Sequence, residues 1–460
     1  MTDPLTQLDQ NRDAAVERAK ALLAIPSVST DPAYAEHVRA AAEWTAAHLR
    51  ESGLDNAELL PTDGHPLVYA ATADAQVADP AAPRVLFYGH YDVQPPDPLE
   101  KWTTPPFEPT VRDGRLYARG ASDDKGQVMC FLEALRAYRE AGEKLPCHVT
   151  VLIEGEEECG SVNLPAALEK YRERLSADVV VISDTRMWDA RTPAITYALR
   201  GLLYFDIQLH GPSRDLHSGM YGGAVPNPAI ILPQVLACLF DHDHRVTIPG
   251  FYDDVQTLTR DERARWAELE FNEDAFLQSI GLEKPFGETG YTTLERLWSR
   301  PACDVNGLYG GYGGEGAKTV IPSFAGAKVS FRLAADQDPD KIAAAFRDWL
   351  EAQPVGDLAW KITEHGRARP VAVPTDSPWI AAATRACETS VGYKPVLIRE
   401  GATIPVVADF KRALNLDSLL IGFGLDSDQI HSPNEHLGLD RFHLGRRTHA
   451  ALLREVARAQ

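Results

Sequence analysis

The sequence predicts an α/β protein: a discontinuous domain with a mostly parallel central sheet, interrupted by an inserted α+β domain. Three observations predict it. Short apolar runs at residues 85–88, 149–153 and 179–182 read as strands buried on both faces. Between the first two lies a stretch, 126–140, whose Val128, Phe131, Leu132, Leu135 and Tyr138 share one helical stripe. Strand–helix–strand alternation of this kind builds parallel sheets. The pattern then changes near Leu199 and returns near Pro374, so the intervening segment splits the first domain.

The elements follow in order. Val38, Ala42, Thr45 and Leu49 fall on one helical face, and Gly53 stops that helix. The Pro- and Ala-rich piece 71–83 reads as a surface loop. Residues 202–209 alternate as a half-buried strand, with Leu203, Phe205, Ile207 and Leu209 on one side. A helix is expected at 228–240. The polar, aromatic-dotted stretch 242–300 has no clear period. Strand signals return at 318–321 and 327–333, followed by a helix at 339–353 and a strand at 360–363. A helix at 377–390, a strand at 418–421 and a helix at 441–459 complete the chain. At 460 residues the chain exceeds one ordinary domain. The expected division is 1–199 and 375–460 for the discontinuous domain, with 200–374 inserted.

A net charge of −20 repels phosphate backbones and anionic membranes, so neither is an expected partner. None of the six cysteines forms a C-x-x-C pair, and free thiols fit a reducing compartment. The start, MTDPLTQLDQNRD, has neither a basic segment nor an apolar core, and no apolar run approaches the ~20 residues of a membrane span. A cytoplasmic location is expected.

Potential metal ligands stand just beyond the apolar runs. His90 and Asp92 follow the first, Glu154, Glu156, Glu157 and Glu158 the second, and Asp184 the third. Open α/β sheets bind ligands beyond the carboxyl ends of their strands, so three strands deliver imidazole and carboxylates to one edge. Asp123 and Asp124 lie in a Gly-bounded loop before a helix, where they serve either as ligands or as a helix cap. His431, in Gln-Ile-His-Ser-Pro, reads as a ligand or as an ordinary loop histidine. Imidazole and carboxylate bind divalent cations at ~2.0–2.2 Å. A carboxylate between two cations can bridge them, and a glutamate that is not a ligand can move the proton of an attacking water.

At these residues the chain resembles the zinc aminoacylase, acetylornithine deacetylase and glutamate carboxypeptidase family of metallopeptidases. The matching motifs are Gly89-His-Tyr-Asp-Val-Gln-Pro95, Gly120-Ala-Ser-Asp-Asp-Lys-Gly126 and Glu157-Glu-Cys-Gly-Ser161. Glu154-Gly-Glu-Glu-Glu-Cys-Gly-Ser161, Asp215-Leu-His-Ser-Gly219, Gly316-Ala-Lys-Thr-Val-Ile-Pro322 and Arg399-Glu-Gly401 resemble its cytosolic non-specific dipeptidase and carnosinase branch. The resemblance implies hydrolysis of dipeptides by a hydroxide shared between two divalent metals. Zinc is the expected ion, although manganese and cobalt suit the same ligands. It implies Asp123 as the bridge, His90 and Asp184 at one metal, and Glu158 and His431 at the other. Glu157 would be the general base, and Asp92 would orient His90. A cis peptide is expected at Asp123–Asp124. The inserted domain would be the lid and homodimer interface, with His217 reaching a neighbouring subunit's site to stabilise the oxyanion. Thr319 and Arg332 would grip the substrate carboxylate, Gly401 and Thr403 its backbone, and His365 is a further candidate on a looser match. Two positions depart from the pattern: Cys159 beside Glu158, and the extra acid Glu156, which puts the division of roles between Glu157 and Glu158 in question.

Gly311-Tyr-Gly-Gly-Glu-Gly316 formally matches a dinucleotide fingerprint, but the sequence offers no strand before it and no helix after it. Neither a His-Glu-x-x-His helix nor a Gly-x-Ser-x-Gly elbow is present. The rival functions are an N-acyl-amino-acid deacylase with the same metal site, and a non-catalytic dimeric binding protein.

Overall fold

The computed structural model describes residues 2–459. The chain forms two compact units. The first comprises residues up to Tyr197, Val373–Ile398 and Asp409 onward; the second comprises Ala198–Ala372 and Arg399–Ala408. Residues 399–408, expected in the C-terminal part of the catalytic domain, thus belong with the inserted unit.

The first unit is organised by a mixed sheet. Strand Arg84–His90 lies between His148–Glu154 and Val179–Ile182, parallel to both, and Ser418–Leu420 runs parallel to Val179–Ile182. These four strands are the parallel centre that the apolar runs predict. The flanks are antiparallel: Leu67–Ala71 against His148–Glu154, Glu58–Leu60 beyond it, and Thr196 opposite Leu420 on the other side. Every residue of His148–Glu154 and Val179–Ile182 is buried, as expected for strands covered by helices on both faces. Helix Lys125–Ala141 is almost wholly buried and ends at Gly142, whose φ of +70° is the left-handed stop that glycine favours. It packs against helix Leu439–Val456, which in turn packs against Pro378–Val391.

The second unit is a four-stranded antiparallel sheet in the order Ala302–Gly310, Phe324–Leu333, Gly201–His210, Ala359–Ala368. Leu203, Phe205, Ile207 and Leu209 point into its core, where Phe331 and Phe346 meet them. Helices Pro228–Ala237 and Pro339–Glu351 pack on this sheet. The stretch without a clear period holds three short helices, Arg260–Ala267, Glu273–Ser279 and Thr293–Trp298. The glycine-rich 311–316 segment does follow a strand, Ala302–Gly310, contrary to expectation. It leads into the short strand Val320–Ile321 and not into a helix, so the dinucleotide context is still missing. Among the described residues no helix is long and apolar enough to cross a membrane.

Candidate metal centre

All four parallel strands point their carboxyl ends the same way, and each is followed by a metal-ligating residue type. His90 ends its own strand. Glu158 sits in a helical turn, Glu157–Cys159, just past His148–Glu154. Asp184 lies two residues past Val179–Ile182. His431 lies on the loop after Ser418–Leu420, and Asp123 stands two residues before helix Lys125–Ala141.

These side chains form two triads that share one member: His90, Asp123 and Asp184, and Asp123, Glu158 and His431, with one potential ligand atom from each residue within 4.8 Å of the others. Asp123 divides its carboxylate between them. Its Oδ1 is 3.1 Å from His90 Nε2, and its Oδ2 is 3.0 Å from His431 Nε2. His90 Nε2 is 4.0 Å from Asp184 Oδ2, and His431 Nε2 is 3.3 Å from Glu158 Oε2. The Asp123–Asp124 bond is cis. Nitrogen and oxygen donors converging on two adjacent points fit a pair of divalent cations.

The surroundings fix the donors. His90 Nδ1 faces the Asp92 carbonyl at 3.1 Å and its carboxylate at 3.3 Å, so Nδ1 carries the hydrogen and Nε2 is left to bind. The other Asp92 oxygen accepts the Glu158 backbone N–H at 3.1 Å. Gln94, not singled out from sequence, donates to the Glu158 carboxylate at 2.8 Å. Asp124 makes no capping hydrogen bond and instead accepts the His90 backbone N–H at 3.3 Å, so it is neither ligand nor cap.

Charge accumulates here. Burial, with Asp184, Asp123 and Glu158 close by, pushes the Glu157 carboxyl up to about 9. Burial and Asp123 push Asp184 up to about 7. Hydrogen bonds to Asp123 and Glu158 raise His431 to about 10. Burial opposes a charge on His90, yet hydrogen bonds to Asp123 and Asp92 hold its pKa well above the ordinary range. Protons on the two imidazoles therefore balance carboxylates that cations would otherwise balance, and cation binding would release them.

The Glu156 carboxylate is held by Asn163 Nδ2 at 2.8 and 3.1 Å and joins neither triad. Cys159 Sγ donates to the Glu156 carbonyl, and its pKa is raised by burial, which argues against a thiolate ligand. Glu154 bonds Tyr88 and Ser161, away from both triads. Glu157 belongs to neither triad although Asp184, Asp123 and Glu158 all act on its charge.

The remaining candidates lie in the second unit, in three places. Exposed His217 accepts the Gly219 N–H at Nδ1 (3.0 Å), and Thr319 is beside it, its carbonyl accepting Ser218 N–H at 3.1 Å. Separately, Arg332 Nη1 donates to Thr403 Oγ1 at 2.8 Å, and Thr403 donates to the Arg200 carbonyl at 2.7 Å. Arg200, which the sequence reading missed, donates to the Gly401 carbonyl at 3.0 Å. His365 lies exposed on strand Ala359–Ala368 with its ring 6.1 Å from that of Tyr204, and no hydrogen bond links it to either group.

Residues 86–455 match the model of peptidase family M20/M25/M40. The chain belongs to this family. It is therefore a metallopeptidase, and the donors gathered around Asp123 are its candidate metal ligands. This M20 peptidase is 31% identical to the Cys-Gly metallodipeptidase dug1 of Schizosaccharomyces pombe, covering 98% of this chain and 97% of that one. It is 32% identical to human Beta-Ala-His dipeptidase over 98% and 91% of the two chains. Among solved structures, the M20 family metallo-carboxypeptidase Sso-CP2 from Sulfolobus solfataricus superposes with a TM-score of 0.83 at 32% identity, over 99% of this chain and 100% of that one.

Proposed function

We propose that this M20 peptidase hydrolyses dipeptides with two divalent cations, one held by His90, Asp123 and Asp184 and the other by Asp123, Glu158 and His431. The observation that carries the reading is the Asp123 carboxylate, with one oxygen 3.1 Å from His90 and the other 3.0 Å from His431. Zinc is the proposed ion, since imidazole and carboxylate suit it, and manganese or cobalt would fit the same donors. Bound cations supply Lewis acidity and make a water acidic enough to attack an amide at neutral pH.

The chain's own groups do the rest. Glu157 takes the proton of the attacking water and returns it to the leaving amine. Its raised pKa favours holding that proton between the two transfers, and cations bound beside it would lower that value. Asp92 keeps His90 in the tautomer that leaves Nε2 free. Arg332 is the proposed grip on the substrate carboxylate, Gly401 and Thr403 its backbone contacts, and His217 the oxyanion donor to a neighbouring subunit of a homodimer, with Thr319 beside His217 reaching the same carboxylate from that neighbour. His365, on strand Ala359–Ala368, is a further candidate for substrate contact. A cytoplasmic setting is supported by six free cysteines, four of them buried.

The dipeptide reading rests on two relatives named as dipeptidases. The likeness to a metallo-carboxypeptidase favours a second reading, in which longer peptides lose their C-terminal residue. A panel of dipeptides, tripeptides and acetyl- or succinyl-amino acids, offered to enzyme of defined metal content, tests these. Turnover confined to dipeptides is expected. Preference for longer peptides supports the second reading, and preference for acyl-amino acids supports a deacylase. Metal binding without turnover of any of them would leave a binding protein.

A further inference from the structure

Two buried carboxylates outside the ligand set hold the centre's two distant parts together. Glu435 is fully buried, and its side chain accepts four hydrogen bonds. Oε1 takes the backbone N–H groups of Ser122 (2.9 Å) and Asp123 (3.0 Å), and Oε2 takes the Gly120 N–H (3.0 Å) and Arg119 Nη1 (2.7 Å). Its backbone carbonyl accepts a fifth bond, from Ala118 N–H at 3.2 Å. The loop 118–123 is thus wrapped around one carboxylate. Asp428 is also fully buried. It accepts Ser122 Oγ at 3.0 Å, Leu425 N–H at 2.9 Å, and both terminal nitrogens of Arg441 at 2.6 Å.

His431 lies between these two residues in the chain. Both ends of its loop are therefore fastened to the loop that carries Asp123, more than 300 residues earlier. His431 itself is half-exposed and in the left-handed backbone region at φ +59°. The anchors at 428 and 435 flank it in the chain at three and four residues' distance.

We infer that Glu435, assisted by Asp428, is a positioning residue for the metal centre: it acts through the Asp123 backbone and sets the spacing between Asp123 and His431. This rests on the reading of Asp123 as the shared ligand. Four N–H donors face the two oxygens of Glu435, so the geometry requires acceptors at all four places. Glu435→Gln puts an amide NH2 against two of those donors at nearly unchanged volume. Glu435→Asp keeps the charge and both acceptor oxygens on a shorter arm.

The test measures cation affinity and stoichiometry by competition with a chromophoric zinc chelator, together with urea unfolding of the metal-free proteins. In Glu435→Gln, affinity for the more weakly held zinc should fall about 10–100-fold. Activity should return when zinc is raised, and Glu435→Asp should recover part of the affinity. Ser122→Ala removes only the link to Asp428 and should weaken the same zinc several-fold without unfolding the protein. It decides the matter where Glu435→Gln does not fold. Unchanged zinc affinity in a folded Glu435→Gln or in Ser122→Ala, with stability alone reduced, overturns the inference. Wild-type enzyme that binds fewer than two zinc ions would instead overturn the reading beneath it.

Discussion

Replacing Glu157 by glutamine should make the metal-free protein more stable and the loaded enzyme almost inactive. The folded carboxyl has its pKa pushed up to about 9 from an ordinary 4.5 by burial among other acids. At pH 7 the folded protein keeps a proton that the unfolded chain has released. A raised acid gives its full contribution to stability below pH 4.5 and loses it as pH rises toward 9. Each pH unit in that window costs about 1.4 kcal/mol, so the cost at pH 7 is on the order of 3 kcal/mol. Glutamine has the shape of the neutral acid and does not titrate, so the variant escapes this cost. Removing a general base lowers kcat about 10²–10⁴-fold, or roughly 3–5 kcal/mol of transition-state stabilisation. The assay is urea unfolding of chelator-treated wild type and Glu157→Gln at pH 5, 6 and 7, with kcat measured on a dipeptide after zinc is restored. The stability gap should widen with pH. A variant no more stable than wild type at pH 7, or a kcat within tenfold of wild type, would refute the reasoning.

Two further outcomes test other parts of the molecule. Arg332→Ala should lower kcat/KM for a dipeptide about 10²–10³-fold while barely affecting its C-terminal amide, and Arg332→Lys should restore only part, because an ammonium lacks the guanidinium fork; equal losses on acid and amide would remove Arg332 from carboxylate binding. Arg18 holds the buried Glu133 through bonds of 2.7 and 2.6 Å, and against burial these keep the Glu133 pKa at about 2. That stability is present above the ordinary 4.5 and lost as pH falls toward 2, so Arg18→Met should cost about 3–5 kcal/mol at pH 7 and move the acid-unfolding midpoint upward.

The candidate ligands were legible because strand burial and strand ends both leave marks in sequence. The runs at 85–88, 149–153 and 179–182 are apolar because both faces are covered, and the residues just past them supply His90, Glu158 and Asp184. The alternation of Leu203, Phe205, Ile207 and Leu209 was equally plain, since only one face of that sheet is buried. Strand Ala302–Gly310 was missed because it is an edge strand with mostly exposed or half-buried positions and a register shift near Gly307. The helices at 260–267 and 293–298 are too short to show a period, although Thr259 with Glu262 and Thr292 with Glu295 form capping boxes that the sequence does display. The parts played by Glu435, Asp428 and Arg200 were invisible for another reason. Each depends on hydrogen bonds to groups distant in the chain, and acids in a polar loop look like any solvated loop. Residues 399–408 were assigned with the C-terminal piece by continuity, whereas Thr403 and Gly401 bond into the second unit through Arg332 and Arg200.

The most direct test is to crystallise the protein with zinc and collect data on both sides of the zinc absorption edge. The expected result is two anomalous peaks per chain, one against His90 and Asp184, the other against Glu158 and His431, with Asp123 touching both. A single peak, or two peaks that do not share Asp123, would contradict it.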